Sequence, residues 1–215
     1  MPRPSQNTDK CLIEAAQGML RKSGLSRMNL REVAAKAGVN LGMFHYHFKT
    51  KDKFIRAVLQ DSYEKFFRDF SLKVEEGKSP LEKLRQALFA LARFARDNRQ
   101  LFVSLLQDAL NGNNLAREFA RDNFRRHGGI VLDLIRQCQK DRSVDKMNHI
   151  RAMVFLMTAI NAANLVVTLV EQAVTSRLMK IPLKGLDLLV LSDEAIRQRV
   201  DMALRGIGAP LGGKR

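Results

Sequence analysis

The segment from residue 29 to residue 51 constrains the fold most, because it reads as two short helices joined by a tight turn. Asn29 and, three positions later, Glu32 predict a capping box at the start of the first helix. Apolar residues then recur every three or four positions, as on the buried face of a helix. Gly38 can adopt the left-handed conformation that ends a helix, so the first helix is predicted at about 30–37.

The second helix is predicted to begin after a turn of only a few residues. Asn40 is again a capping residue, and Phe44 and Phe48 lie one helical turn apart, where both can pack against the first helix. This spacing predicts a helix over 41–48. Together the two helices form a helix-turn-helix motif at about 29–48.

The outward face of this second helix carries polar and aromatic side chains where a solvated helix usually carries Lys and Glu. Gly42 allows close approach of the backbone, His45 and Tyr46 offer hydrogen bonds, and Leu41 and Met43 can contact thymine methyl groups. Such a face suits docking on DNA. The candidate DNA-contacting residues are Asn29, Asn40, Leu41, Gly42, Met43, His45, Tyr46, His47, Lys49 and Lys51.

Positive charge is concentrated around the motif. Thr50 is a candidate cap for the next helix, which would place Lys51 and the positive helix end where a phosphate can bind. The chain has 37 Lys plus Arg against 22 Asp plus Glu, a net charge of +15, and residues 1–60 hold 11 basic and 4 acidic residues. This field predicts DNA binding that weakens steeply with salt. A chain that is basic only for solubility would explain the charge, but not the motif.

The motif resembles that of the TetR family of bacterial transcriptional regulators. The family pattern of Ala-Gly-Val, a polar cap, Gly and an aromatic-rich helix ending His-Phe-Lys-x-Lys is present over residues 37–51. Ile13, Ala16 and Leu20 lead to Gly24, where the family usually has a glycine closing its first helix. The likeness covers roughly the first 65 residues.

Three residues depart from the family's habit. A polar residue is common where this chain has Leu41, a small hydroxyl residue where it has Met43, and Tyr where it has His45. Apolar readers favour thymine methyl contacts and DNA shape over bidentate base recognition. The resemblance therefore implies the fold and the DNA partner, but not the operator sequence.

The rest of the chain predicts an all-α body. Apolar periodicity, the Ser79-Pro80 start signal and the breaker at 111–114 indicate helices. Their expected ranges are about 51–76, 80–97, 101–109, 115–140, 146–175 and 193–207, with Gly128-Gly129 as a soft spot or kink. With the resemblance, this implies a three-helix helix-turn-helix domain at 6–66, a helical effector-binding and dimerisation domain at 67–209, and a flexible tail at 210–215.

The stretch from 152 to 170 contains no charged residue. It could just span a membrane, but Asn161 and Asn164 lie at its centre and no second span accompanies it. A buried helix that also contacts a partner is the favoured interpretation, with no membrane involved. The resemblance implies that the last two long helices pair with their counterparts in a homodimer that reads a palindrome.

The resemblance also implies a pocket for a small apolar or amphipathic effector between the middle helices. Its candidate liners are Phe89, Phe94, Phe102, Phe119, Phe124, Met153, Met157, Asn161 and Asn164. Aromatic and Met side chains at helical spacing are more often ordinary core. The two amides are stronger candidates, since a buried amide needs a hydrogen-bonding partner that a ligand or the second subunit could supply.

Other function classes have little support. Cys11 and Cys138 are far apart, which fits a reducing cytoplasm, and the start of the chain has no signal-peptide core. His45 and His47 diverge around their helix and cannot share a metal ion. No catalytic motif is present, so we expect neither an enzyme nor a cofactor. The favoured hypothesis is a ligand-responsive repressor; the alternatives are an activator without a ligand and a helical protein-interaction module.

Overall fold

The computed structural model describes residues 7–23, 28–175 and 185–210, and this part of the chain is helical, with no strand. This confirms the all-α prediction. Its helices are α1 (Thr8–Ser23), α2 (Leu30–Ala37), α3 (Leu41–Phe48), α4 (Lys51–Glu75), α5 (Pro80–Asp97), α6 (Arg99–Leu110), α7 (Asn114–Lys140), α8 (His149–Thr175), α9 (Leu186–Leu191) and α10 (Asp193–Arg205). The predicted glycine end of α1, Gly24, and residues 211–215 of the predicted tail lie outside the described residues.

Most predicted helix bounds agree with the structure to within one or two residues. The start of α8 was predicted three residues too early, at Lys146, because the Asn148 cap was overlooked. The side chain of Asn148 accepts from the backbone N–H of Ile150 at 3.0 Å, which fixes the start at His149. The short helix α9 was not predicted. Helix α7 runs unbroken through Gly128-Gly129.

The chain divides into two compact units. The first comprises residues 1–66 and 100–123, and the second comprises residues 67–99 and 124–215. The sequence-based division at 66/67 placed all of 100–123 in the C-terminal domain. The structure groups this segment with the N-terminal helices because Leu101, Leu105 and Ala116 are buried in the same hydrophobic cluster as α1 to α4.

The first unit is fastened by contacts between α4 and the beginning of α7. The buried hydroxyl of Tyr63 donates to the backbone carbonyl of Asn123 at 2.9 Å, and Arg56 pairs with Glu118 at 2.6 Å. The ion pair is half-exposed and adds little, whereas the buried hydroxyl needs its partner to avoid a desolvation penalty. These contacts hold α4, whose first residue belongs to the predicted DNA surface, in a fixed position within the unit.

The second unit is built on the packing of α5, α8 and α10. Helix α5 begins with Ser79, whose hydroxyl accepts from the N–H of Glu82, while the Glu82 carboxylate accepts from the N–H of Lys78. The Arg96 guanidinium on α5 donates to Asp193 at the start of α10 at 2.6 Å. This hydrogen bond lowers the pKa of the Asp193 carboxyl, and the pair ties the two helices together.

Helix α8 has two contrasting faces. One face is buried within the second unit through residues such as Leu156, Ile160 and Val167. The opposite face exposes large apolar side chains along almost its whole length, namely Ile150, Val154, Phe155, Leu165, Val166 and Leu169. We call these six residues the α8 stripe. In the described part of the chain, α8 is the one helix whose length and composition would allow it to cross a membrane.

Candidate nucleic-acid interface

The start of α2 supplies the first polar groups of the interface. The Asn29 side chain accepts from the backbone N–H of Arg31 at 2.9 Å, which caps the helix. The predicted capping box is wrong in its second half: among the described residues, Glu32 does not bond back to the Asn29 amide. The cap reaches the second amide of the helix and not the third, so it is a simple Asn cap.

The turn between α2 and α3 is fixed by local chemistry. Gly38 has φ +67° and ψ +29°, and its N–H bonds back to the carbonyls of Ala34 and Ala35, so α2 ends as predicted. The side chain of Asn40 accepts from the N–H of Gly42 at 2.7 Å and caps α3. The turn therefore sets the angle at which α3 leaves α2.

An aromatic cluster orients α3. Phe44 is buried and meets Phe54 edge to face at a centroid distance of 5.1 Å, and Phe48 meets the same ring at 4.8 Å. Because the rings of Phe44 and Phe48 both face the core, the opposite side of α3 faces outward. Tyr46 is accordingly 72% exposed, and His45 is exposed beside it.

The start of α4 contributes cations. The Thr50 hydroxyl accepts from the backbone N–H of Lys53 at 3.2 Å, as the predicted cap requires. Lys49 and Lys51 on either side are both exposed. Lys49 ends α3 with φ +60° and ψ −47°, an uncommon conformation for a side chain other than glycine. The amide end of α4 and these two ammonium groups form a positive surface.

An open groove of about 540 Å³ joins these elements. It is lined by Met28, Asn29, Leu30, Arg31, Leu41, His45 and Lys51. The groove therefore brings together the starts of α2, α3 and α4. Two of its lining residues, Arg31 and Lys51, are cations, and the others are either apolar or able to form hydrogen bonds. Four of the predicted DNA-contacting residues line it: Asn29, Leu41, His45 and Lys51.

Sequence reasoning missed Arg31, which lines the groove and is exposed. A signal was available. A cation in the first turn of a helix is unfavourable next to the positive end of the helix dipole. Arg31 occupies such a position directly after the Asn29 cap, which is more easily explained if an anion binds there.

The other predicted contacts differ in exposure. Asn40, Gly42, Tyr46 and Lys49 are exposed, like Asn29, His45 and Lys51. Leu41, Met43 and His47 are only half-exposed, and Leu41 packs against the hydrophobic cluster of the first unit. The Nε2 atom of His47 is buried without a hydrogen-bonding partner. Helical rotation already places Leu41 and His47 at the flanks of the buried face, whereas Met43 presents less surface to DNA than the rotation alone predicts.

The predicted effector liners are divided between the units. Phe102 and Phe119 belong to the first, and Phe89, Phe94, Phe124, Met153, Met157, Asn161 and Asn164 to the second. Phe102 and Phe124 are 43% and 47% exposed, Asn164 is buried, and the others are half-buried. The Phe89 ring lies beneath the guanidinium groups of Arg93 and Arg197. A separate cavity of about 230 Å³ in the second unit, between Arg85 and Pro210, is lined by none of them.

Titratable clusters are sparse. Among the described residues, no group of three or more His, Cys, Asp or Glu side chains is placed to hold a metal ion. Cys138 is buried, and desolvation raises the pKa of its thiol, whereas Cys11 is exposed. In the described part of the chain, the groove at the starts of α2, α3 and α4 is thus the clearest candidate site.

Comparison with known proteins agrees with this geometry. The family model for bacterial regulatory proteins of the tetR family matches residues 12–58, which contain α2 and α3. The HTH-type transcriptional repressor KstR2 of Mycolicibacterium smegmatis is 31% identical over 106 residues, which are 49% of this chain and 51% of the relative. The chain thus matches about half the length of this curated relative.

Solved structures extend the likeness to nearly the whole fold. A TetR transcription regulator from Haloarcula marismortui has a TM-score of 0.71 at 19% identity, covering 94% of this chain and 98% of the other. The transcriptional regulator FadR from Bacillus subtilis, in complex with stearoyl-CoA, has a TM-score of 0.70 at 14% identity, covering 92% and 98%. At these identities the structures speak for the fold alone. With the capped motif and the regulator homologue, the family model places residues 12–58 in the tetR family of bacterial regulatory proteins, and the solved structures show that nearly the whole chain has the same fold.

Proposed function

We propose that this chain is a DNA-binding transcriptional regulator of the cytoplasm, a homodimeric repressor that releases a palindromic operator when a small molecule binds. The observation that carries the proposal is the exposed face of α3 beside a cationic groove. Tyr46 and His45 are available to base edges, while Arg31 and Lys51 flank them as phosphate ligands.

The two kinds of contact have different tasks. Arg31 and Lys51 lie at the starts of α2 and α4, where backbone amides add to the attraction for a phosphate. They position the protein without reading sequence. His45 and Tyr46 supply hydrogen bonds to bases, and Leu41 offers a partly exposed apolar surface for a thymine methyl group. We infer an operator selected as much by DNA shape as by bidentate contacts.

The α8 stripe supports the dimer. Six large apolar side chains exposed on one face of one helix form a patch that a monomer in water would not favour. Met202 on α10 is also exposed. A twofold contact would bury both surfaces and would supply the second recognition helix that a palindromic site requires. Val166→Lys is expected to give a monomer in sedimentation equilibrium with weakened operator binding.

The effector is supported more indirectly. A protein of the same fold, the regulator FadR from Bacillus subtilis, is known in complex with stearoyl-CoA, which supports a small-molecule ligand here. A ligand that prefers one of two conformations by about a hundredfold would shift the equilibrium enough to control DNA binding. We therefore propose that the effector binds in the second unit.

DNA binding is tested with operator fragments selected by the protein from genomic DNA. Tyr46→Ala is expected to reduce affinity at least about tenfold while leaving stability unchanged, since the side chain is exposed. Lys51→Ala is expected to weaken binding to all sequences and to reduce the salt slope by about 1.

The matched control is Lys140→Ala, which removes one exposed positive charge from the second unit. It is expected to leave both operator affinity and salt slope unchanged. Full affinity in both Tyr46→Ala and Lys51→Ala would refute the proposed interface. Equal loss of affinity in Lys51→Ala and Lys140→Ala would mean that only the overall charge matters.

A further inference from the structure

Asn164 is a buried amide without a partner. It lies in the middle of α8 and is only 7% exposed, yet neither its Nδ2 nor its Oδ1 atom makes a hydrogen bond to any residue that the structure describes. Its neighbours on the helix are satisfied: Asn161 donates to the carbonyl of Met157 at 2.9 Å, and Thr168 donates to the backbone carbonyl of Asn164 at 2.8 Å. Leaving buried polar atoms unpaired costs stability, so a partner is expected.

The α8 stripe, which we propose that a second subunit covers, is not the face of the helix that carries Asn164. Ile160 lies at the centre of the buried face of α8. At about 100° of rotation around the helix axis per residue, Asn164 lies about 40° from it and so belongs to the same face. The α8 stripe is centred on the opposite side, with Leu169 about 180° from Ile160. A subunit docked on the stripe would therefore meet the back of the helix. We infer that the group that pairs with Asn164 reaches it from within the second unit.

The surroundings define the chemistry of that group. In the described part of the second unit, the buried polar side chains are Asn164 and Thr168, and the other buried residues of α5, α7, α8 and α10 are apolar. The nearest acid along α8, Glu171, is already paired with Arg99 at 2.8 Å. A charged ligand group beside Asn164 would lose its hydration without gaining a counter-ion.

We propose that Asn164 anchors the effector, and that the effector is an uncharged, largely apolar molecule with one hydroxyl, carbonyl or amide group. The amide can both donate and accept, so it serves each of these groups. The apolar part of the molecule would lie against the apolar side chains of the second unit. This inference rests on the proposed ligand-responsive function and specifies the ligand class.

One other residue favours a different ligand. Arg199 on α10 is half-buried and donates to the backbone carbonyl of Val190; its Nε and Nη2 atoms have no partner among the described residues. Desolvation lowers the pKa of this guanidinium. A carboxylate ligand would choose Arg199 in preference to Asn164. The experiment must therefore compare neutral and anionic probes.

The test uses four probes that each carry one straight ten-carbon chain, measured on the full chain of the protein: 1-decanol, decanamide, decanoate and decyltrimethylammonium. Binding is measured by isothermal titration calorimetry, with the neutral probes below their solubility limits and the ionic probes below their critical micelle concentrations. We expect the two neutral probes to bind more tightly than the two ions. Asn164→Leu, which keeps the branching of the side chain but removes its polar atoms, should weaken both neutral probes about tenfold through loss of the hydrogen bond. Asn164→Ala should reduce the affinity for both neutral probes by a similar factor, and it is the variant to use if leucine disturbs the packing.

Asn161→Leu is the matched control: the sequence offers Asn161 as a pocket residue as well, but its half-buried amide, one turn away, already donates to the carbonyl of Met157, so it lacks the unpaired atoms that single out Asn164. It should change probe affinity less than about twofold. Unchanged affinity for 1-decanol in both Asn164 variants would overturn the proposal, as expected if a water molecule alone satisfies the amide. Failure of both neutral probes to bind, or tightest binding of decanoate with loss in Arg199→Leu, would also overturn it.

Operator binding separates this inference from the proposed function. Asn164→Leu is expected to bind operator DNA like the wild type but to release it less readily when 1-decanol is added. If the wild type binds neutral probes through Asn164 but binds no DNA, the proposed regulator fails while the ligand site stands. If DNA binding is intact and the probe results are negative, the ligand class alone is wrong.

Discussion

The left-handed backbone conformation of Gly38, in the turn of the helix-turn-helix motif, can be tested by replacing it with alanine and making the same replacement at a helical glycine, Gly129. Gly38 ends α2 with φ +67°, and a Cβ atom built there meets nothing within 4 Å. Gly129 lies inside α7, has an ordinary helical φ, and its Cβ would also meet nothing within 4 Å. Substitution by Ala therefore adds no clash at either site, and the backbone conformation alone decides the sign.

The magnitudes follow from these conformations. In Gly38→Ala, the left-handed conformation of the alanine lowers the free energy of unfolding by about 1–2 kcal/mol. Roughly 0.5 kcal/mol is regained, because alanine has less conformational entropy than glycine in the unfolded chain. The net effect is a destabilisation of about 1 kcal/mol. In Gly129→Ala, the helical conformation suits alanine, and stability should rise by about 0.5–1 kcal/mol. For a chain of this size, 1 kcal/mol corresponds to about 2–4 °C in Tm.

The assay is urea and thermal unfolding followed by circular dichroism, with hydrogen exchange of peptides covering residues 30–48 to detect local opening of the motif. Gly38→Ala should lower stability and speed exchange in these peptides, whereas Gly129→Ala should do neither. Gly38→Asn should fall between wild type and Gly38→Ala, since Asn tolerates this conformation better. A shift of the same sign in both alanine variants would refute the reasoning.

Three further predictions concern a cap, an ion pair and the two thiols. Asn40→Ala should lose about 1 kcal/mol in urea unfolding, because its 2.7 Å cap bond disappears; no loss would mean that the bond is not formed in solution. The hydrogen bond from Arg96 lowers the pKa of Asp193 in the folded state, so its stabilising effect is complete above the usual value of 3.8 and is lost as pH falls through the lowered pKa. The Tm difference between wild type and Asp193→Asn should therefore be largest near neutral pH and shrink in acid; a constant difference would contradict this. Iodoacetamide should modify exposed Cys11 at least about tenfold faster than buried Cys138, as read by mass spectrometry of the native protein, and equal rates would contradict the burial of Cys138.

Local signals in the sequence were sufficient for the recognition motif. The bounds of α2 and α3 were predicted correctly because their caps and the left-handed glycine act within three or four residues. The inward direction of Phe44 also follows from helical rotation alone. The predicted capping box was wrong although it too is a local feature. The Asn29 side chain accepts from the second backbone amide of α2, that of Arg31, and not from the third, and this choice depends on how far the side chain reaches.

Long-range packing decided what local signals could not. The sequence placed residues 100–123 with the C-terminal helices, but the burial of Leu101, Leu105 and Ala116 groups this segment with the first unit. Nothing in the local pattern reveals which of two apolar surfaces a helix will cover. The same applies to Leu41, which the sequence offers as a contact for thymine methyl groups and which packs partly against the hydrophobic cluster.

The sequence by itself thus determined the all-α class, the motif, its family and the exposed aromatic face that suits DNA. The tertiary structure decided that Arg31 shares a groove with His45 and Lys51, and that Asn164 lies on the buried face of α8. The physical reason is the distance along the sequence over which each kind of interaction acts. Caps and helical periodicity are set by neighbours a few residues apart, whereas grooves and buried amides are made by residues that only the folded chain brings together.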